Sequence, residues 1–164
     1  MFSLPPRLIF GGLSLTSMLL VLTAIYIEPF ASMNPCPMCL LQRAAFIAVA
    51  TIGGFAFIFQ PHGALKKVFA LLTAVAGIVG ASIAGRQIWL QHLPEDQVPA
   101  CGPGLEYMLD VFPFFEALRM ALQGTGDCAE VQWMWLGLSI PGWSFLAFST
   151  MSLAGLYLLF QRRN

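Results

Sequence analysis

The sequence predicts an all-α membrane protein: a four-helix transmembrane bundle with a short amphipathic segment in its second outer loop. Three observations carry this expectation. Of 164 residues, 58% are hydrophobic and 10% charged, whereas a soluble domain carries about a quarter charged residues. Four apolar runs are long enough to cross a hydrocarbon core, which takes about 20 residues. The charges sum to zero but are sorted along the chain. The length suits a single transmembrane domain over residues 1–164.

The first span runs from Leu8 to Ile27, preceded by Arg7 and ended by Glu28-Pro29. A signal peptide is the competing reading, but its apolar core is usually about 7–15 residues. This run is longer, and Pro29-Phe30-Ala31 makes a poor cleavage site, so a retained helix is expected. A short outer loop, about residues 28–39, leads to Asn34-Pro35-Cys36-Pro37-Met38-Cys39. Pro37 suits the first position of a helix, where its missing N–H costs nothing. Cys36 is then the N-cap, and Cys39 lies in a first turn whose partial positive charge favours a thiolate. Arg43 follows Cys39 by one helical turn and shares its face. By residue type alone the pair could be reactive thiols, a static disulfide or half of a metal site.

The second span runs from about Leu40 to Phe59, and Gln60-Pro61-His62-Gly63 is a turn. The third runs from about Val68 to Leu90, and Gly77, Gly80 and Gly85 in it allow close helix approach. Outside the membrane the second outer loop, about residues 91–142, carries His92, Cys101 and Cys128. Its middle, Leu105 to Leu122, mixes Phe112, Phe114, Phe115, Leu118 and Leu122 with Glu106, Asp110, Glu116 and Arg119. That pattern suits an amphipathic segment on the membrane surface, with Pro113 breaking it in two. The fourth span runs from about Trp143 to Phe160.

With four spans, Arg7, Lys66, Lys67, Arg162 and Arg163 fall on one side, and all eight acids fall on the other. Positive charge marks the cytoplasmic side. Both termini are expected there, and all four cysteines face the oxidising compartment where disulfides persist. Trp89, Trp133, Trp135 and Trp143 fall near the outer interface, as tryptophans prefer. Four cysteines fit two disulfides or one four-sulfur metal site. Cys101 and Cys128 are too far apart in sequence for a usual zinc pair, and the outer compartment favours disulfides, so no metal is expected. The pair could equally be a loop staple or a redox pair. Arg43 could snorkel to the interface, and His92 could be an ordinary interfacial histidine. Arg86 could pair with Glu28 or an acid of the second loop. No basic cluster points to nucleic acid.

The chain resembles the disulfide bond formation protein B family of bacterial inner-membrane thiol oxidases. The residues that carry the resemblance are Pro35-Cys36-x-x-Cys39 with Arg43 four positions on, the second-loop cysteines, and Gly126-Asp127-Cys128-Ala129-Glu130 followed by Gln132-Trp133, Leu136-Gly137-Leu138, Pro141 and Trp143. The resemblance implies a quinone-dependent protein-disulfide oxidoreductase in the inner membrane, multi-pass, with periplasmic cysteines. It implies a Cys101–Cys128 disulfide that accepts electrons from a thioredoxin-like periplasmic dithiol carrier, protein A of the disulfide system, with Cys101 forming the mixed disulfide. Electrons would pass to Cys36 and Cys39, then to ubiquinone or menaquinone, with Cys39 touching the quinone and Arg43 and His92 beside it. The competing function is a membrane scaffold or metal-binding protein with structural cysteines.

Overall fold

A computed structural model describes residues 5–30 and 35–161. Arg162 and Arg163, counted above among the inner-side charges, and loop residues 31–34 lie outside the described residues. Four long helices form a transmembrane bundle: α1 (Pro6–Phe30), α2 (Pro37–Phe59), α3 (Ala64–Gln91) and α7 (Ile140–Phe160). Their apolar windows have mean hydropathies of 2.1, 1.6, 2.1 and 1.5. Between α3 and α7 lie a 3-10 turn (Glu95–Gln97), α4 (Leu105–Val111), α5 (Phe114–Gln123), α6 (Gly126–Ala129) and a two-stranded hairpin, β1 (Met134–Trp135) with β2 (Leu138–Ser139).

The helix limits differ from the apolar runs for local reasons. Helix α1 continues through Glu28 and Pro29; Pro29 has no N–H for the Ile25 carbonyl, and the helix ends one residue later, at Phe30. Helix α2 begins at Pro37, not Leu40, and Cys36 is its extended N-cap. Helix α7 begins at Ile140, with Pro141 in its first turn, where no N–H is required. The break at Pro113 occurs as expected, and α5 buries Ala117 and Ala121 while exposing Phe114 and Phe115. The hairpin is an element the apolar pattern did not anticipate.

Helix α3 packs against α7 and α2, and α1 packs against α2. Bilayer lipid is as apolar as leucine, so helices must associate through close fit and polar contacts. Small residues supply the fit: a Cβ on Gly155 would stand 2.7 Å from the Ala74 nitrogen, and one on Gly77 would stand 2.9 Å from the Ser152 nitrogen. The hydroxyls of Ser14 and Ser152 reach across to the carbonyls of Ala50 (2.8 Å) and Ala74 (3.3 Å). The core has three zones. Phe10, Ala56, Ala70 and Leu158 fill one end, and Phe46 stacks on Phe148 in the middle with Val21, Val49 and Met151. At the other end the core is made of Cys36, Met38, Leu90 and Cys128. Arg7 over the Phe57 ring and Lys66 on the Gln161 carbonyl mark the end opposite the cysteines.

Candidate thiol redox site at one end of the bundle

The site begins with the start of α2. Pro37 fixes the first helical residue, and the Leu40 N–H closes the first turn on the Cys36 carbonyl at 3.2 Å. Capping and first-turn positions three apart then face each other, and the Cys36 and Cys39 sulfurs lie 3.1 Å apart. The last turns of α3 add Gln87, whose Nε2 is 3.3 Å from each of the two sulfurs. Gln42, one turn along α2, donates from its Nε2 to the Gln87 Oε1 at 2.7 Å.

The second loop returns Cys128 to the same place. Gly124 turns the chain at φ 85, where a side chain would be strained, and a Cβ there would meet Leu90 at 2.3 Å. The loop therefore presses directly onto α3 at this point. Helix α6 follows, and Cys128 on it is fully buried against Cys36, Met38 and Leu90, with the Thr125 hydroxyl 3.7 Å from its sulfur. Cys101 is held differently. The Gly126 N–H bonds the Ala100 carbonyl at 3.2 Å, and the Cys101 sulfur lies 3.1 Å from where a Gly126 Cβ would be. Its side chain is exposed and sits beside the Asp127 carboxylate.

All four sulfurs are unbonded. Three of them converge, with Cys128 against Cys36, while Cys101 occupies the exposed edge beside Asp127 of α6. Electrostatics differ accordingly. The Cys36 thiol donates to Cys128 and lowers it from the ordinary 9.0 to about 6; Cys36, holding the proton, is pushed up. Asp127 raises the Cys101 thiol, first by accepting its hydrogen bond and then by its charge. Between about pH 6 and pH 9 Cys128 is therefore a thiolate in the folded chain and a thiol in the unfolded one. In a reduced Cys39→Ser/Cys101→Ser protein, ultraviolet thiolate absorbance is expected to rise through about pH 6. Adding Cys36→Ala should move that rise toward pH 9, because its donor is gone; an unmoved rise would contradict the assignment.

Arg43 and His92 stand outside this cluster. Arg43 is paired with Glu28 of α1 at 2.9 Å, both partly buried. His92 caps α3, with Nδ1 2.8 Å from the Ile88 carbonyl. That bond makes Nδ1 the donor and leaves Nε2 as an acceptor in the neutral ring. Arg86 does not reach Glu28; it bonds the Gln123 carbonyl at 3.3 Å and lies over the Trp89 ring, tying the loop to α3. A cleft opens over the first pair of sulfurs, lined by Cys36, Cys39, Gln87, Gln91, Trp133 and Pro141, and neither Arg43 nor His92 lines it. Among the described residues no three His, Cys, Asp or Glu side chains are grouped as a metal site requires.

Gln42 and Gln87 were not anticipated from sequence. A signal existed: two amides inside apolar spans must be satisfied within the protein, since lipid offers no partner.

The disulfide bond formation protein DsbB family model matches residues 6–158. The chain is 49% identical over 156 residues to disulfide bond formation protein B of Marinobacter nauticus, covering 95% of this chain and 93% of that one. Identity to the protein of the same description from Hahella chejuensis is 53% over 125 residues, 76% of each chain. For that of Acinetobacter baumannii it is 41% over 156 residues, 94% and 91%.

Proposed function

The chain belongs to the disulfide bond formation protein DsbB family, and we propose that it re-oxidises a thioredoxin-like periplasmic dithiol carrier and passes the electrons through two cysteine pairs to a membrane quinone. At the coarser level it is a multi-pass inner-membrane protein of disulfide bond formation, with a disulfide oxidoreductase role. In the proposed orientation both termini are cytoplasmic and the cysteine end is periplasmic. The charge sorting supports this, since acids gather at the cysteine end.

The observation that carries the reading is the contact of Cys128 with Cys36 beside Cys39. Disulfide exchange needs a thiolate in line with a disulfide sulfur. In the proposed sequence, a carrier thiolate attacks the exposed Cys101 of a Cys101–Cys128 disulfide, and Cys128 leaves as a thiolate. With Cys36 held in its own disulfide, the departing Cys128 thiolate is favoured by the Thr125 hydroxyl and by backbone hydrogen bonds at Thr125 and Met38, and a favoured thiolate is the better leaving group. The carrier's second thiolate then breaks the mixed disulfide, so the carrier leaves oxidised and Cys101 takes a proton. Cys128 attacks Cys36 of the Cys36–Cys39 disulfide, and Cys39 departs as a thiolate in the first turn of α2. Cys101 next gives up that proton and attacks Cys128 as a thiolate, restoring the outer disulfide and freeing Cys36; Cys36 and Cys39 take up the two protons that the carrier dithiol released. Two electrons and two protons now reside on Cys36 and Cys39.

A bound quinone, of the ubiquinone or menaquinone type, accepts two electrons and two protons to become a quinol. In support, Trp133 and Pro141 offer such a ring apolar surface in the cleft and Gln91 an amide, while the carboxylates of Asp127 and Glu130 also line it. Arg43 and His92 do not line this cleft; the proposal that they hold the quinone rests on the family resemblance. Glu28 engages one guanidinium N–H of the five, which leaves donors for a carbonyl oxygen. Arg43 stays protonated, so it acts through charge and hydrogen bonds and not as an acid. Arg43→His is expected to raise the apparent KM for quinone several-fold with little change in thermal stability; an unchanged KM removes Arg43 from the quinone site.

The function itself is tested under argon with the purified full-length protein and a reduced thioredoxin-like dithiol protein. The dithiol should be oxidised in proportion to the quinone added. Equal oxidation without quinone, or none with either quinone class, would overturn the proposal.

A further inference from the structure

Gln87 and Gln42 belong to no step above, yet they are the most buried polar groups beside the reactive sulfurs, at 3% and 4% exposure. An amide withdrawn from water and lipid must spend its hydrogen bonds on protein partners. Here the partners are unusual. The Gln87 Oε1 accepts from Gln42 at 2.7 Å, and the Gln87 Nε2 lies 3.3 Å from both the Cys36 and the Cys39 sulfur. A single NH2 group carries two donors, and this one has one sulfur for each.

We propose that Gln87, its amide oriented by Gln42, is a positioning residue that donates to both sulfurs of the Cys36–Cys39 pair and thereby favours the pair's reduced form. The inference rests on reading these two cysteines as a redox pair. Its physical content is a difference between two states. Hydrogen bonds to an anionic sulfur are charge-assisted and strong, while a disulfide sulfur is a weak acceptor. Donors fixed on the sulfurs therefore stabilise the dithiol–thiolate state more than the disulfide. A pair whose reduced form is stabilised is a stronger oxidant, which is what it needs to draw electrons from a thiolate such as Cys128. Gln42 matters because it engages the oxygen of the Gln87 amide and so turns the nitrogen, which can only donate, toward the sulfurs. The Gln87 oxygen already accepts from the Cys39 thiol at a longer 3.7 Å; the reversed amide would put an acceptor at the nearer position beside both sulfurs and favour protonated thiols.

The test is the equilibrium of the Cys36–Cys39 pair with a glutathione redox buffer. Full-length protein carrying Cys101→Ser and Cys128→Ser isolates that pair, and thiol alkylation followed by mass measurement reads the oxidised fraction. Gln87→Leu should shift the equilibrium about tenfold toward the disulfide, which for a two-electron couple is about 30 mV of potential. Gln87→Glu, which keeps the size but presents acceptors, should shift it further the same way. Gln42→Leu should produce a smaller shift of the same sign. An apolar replacement that merely loosened packing would weaken both redox states together and leave the equilibrium unmoved. No shift, or a shift toward the dithiol in Gln87→Leu, overturns the proposal; Gln87→Glu and Gln42→Leu decide it if the leucine variant fails to fold. Because neither quinone nor carrier is present, failed quinone turnover with the predicted shift would sink the proposed function alone. A pair that glutathione neither oxidises nor reduces would sink both.

Discussion

Cys39→Ser is expected to reduce steady-state quinone reduction to the uncatalysed background. The serine hydroxyl occupies nearly the same place in the first turn of α2, three residues after the N-cap, so the helix start set by Pro37 survives. What is lost is chemical. Serine forms no disulfide with Cys36, and its hydroxyl does not hold the electron pair that exchange would deliver. Cys101 and Cys128 are untouched, so one equivalent of carrier should still be oxidised before turnover stops. The check is a burst measurement: carrier oxidised per mole of protein, with quinone absorbance followed in parallel. A single equivalent with no quinone loss is the expected outcome. Quinone loss within tenfold of the unmodified protein would remove Cys39 from the electron path.

The second large effect is expected at the other end of the relay. Cys128→Ala should abolish carrier oxidation entirely, burst included, while the Cys36–Cys39 pair remains oxidisable by quinone. Cys128 is fully buried between α3 and the start of α2, and the substitution removes one sulfur from that core. Such a change costs about 1 kcal/mol, too little to unfold the bundle, and an unchanged thermal transition would verify this. The functional loss is expected because Cys128 is the sulfur in contact with Cys36, whereas Cys101 stands exposed beside Asp127. Persistent turnover in Cys128→Ala would mean that Cys101 reaches the inner pair alone.

These expectations draw on features of unequal visibility in the sequence. The four spans and the sorted charges were legible because they depend on composition over about 20 residues. Cys36 as N-cap and Pro37 at the first helical position were legible because a proline's missing N–H is a local constraint. The two short helices around Pro113 were legible for the same reason. The hairpin was not. Its turn places Leu136 at φ 51 and Gly137 at φ 79, and leucine is a poor signal for a position usually held by asparagine or aspartate. The Cys128–Cys36 contact depends on how a long loop returns to the bundle, guided by Gly124 against Leu90. No local pattern records that. Gln42 and Gln87 could be noticed as polar residues inside spans, but their meeting over the sulfurs depends on the fit of α2 to α3. Arg43 was read as lying beside the first cysteine pair, yet its bond to Glu28 required knowing that α1 continues through residue 28.

The central claim is that electrons leave a protein dithiol and reach quinone through all four cysteines. The most direct measurement follows quinone absorbance in detergent while the purified protein receives a reduced thioredoxin-like dithiol, in the unmodified chain and in four single cysteine-to-serine variants. The account predicts one quinone lost per dithiol oxidised, and no steady-state loss in any of the four variants. Full turnover in a variant lacking Cys36, Cys39, Cys101 or Cys128 would contradict the relay, and an unmodified protein that turns over neither quinone class would contradict the function.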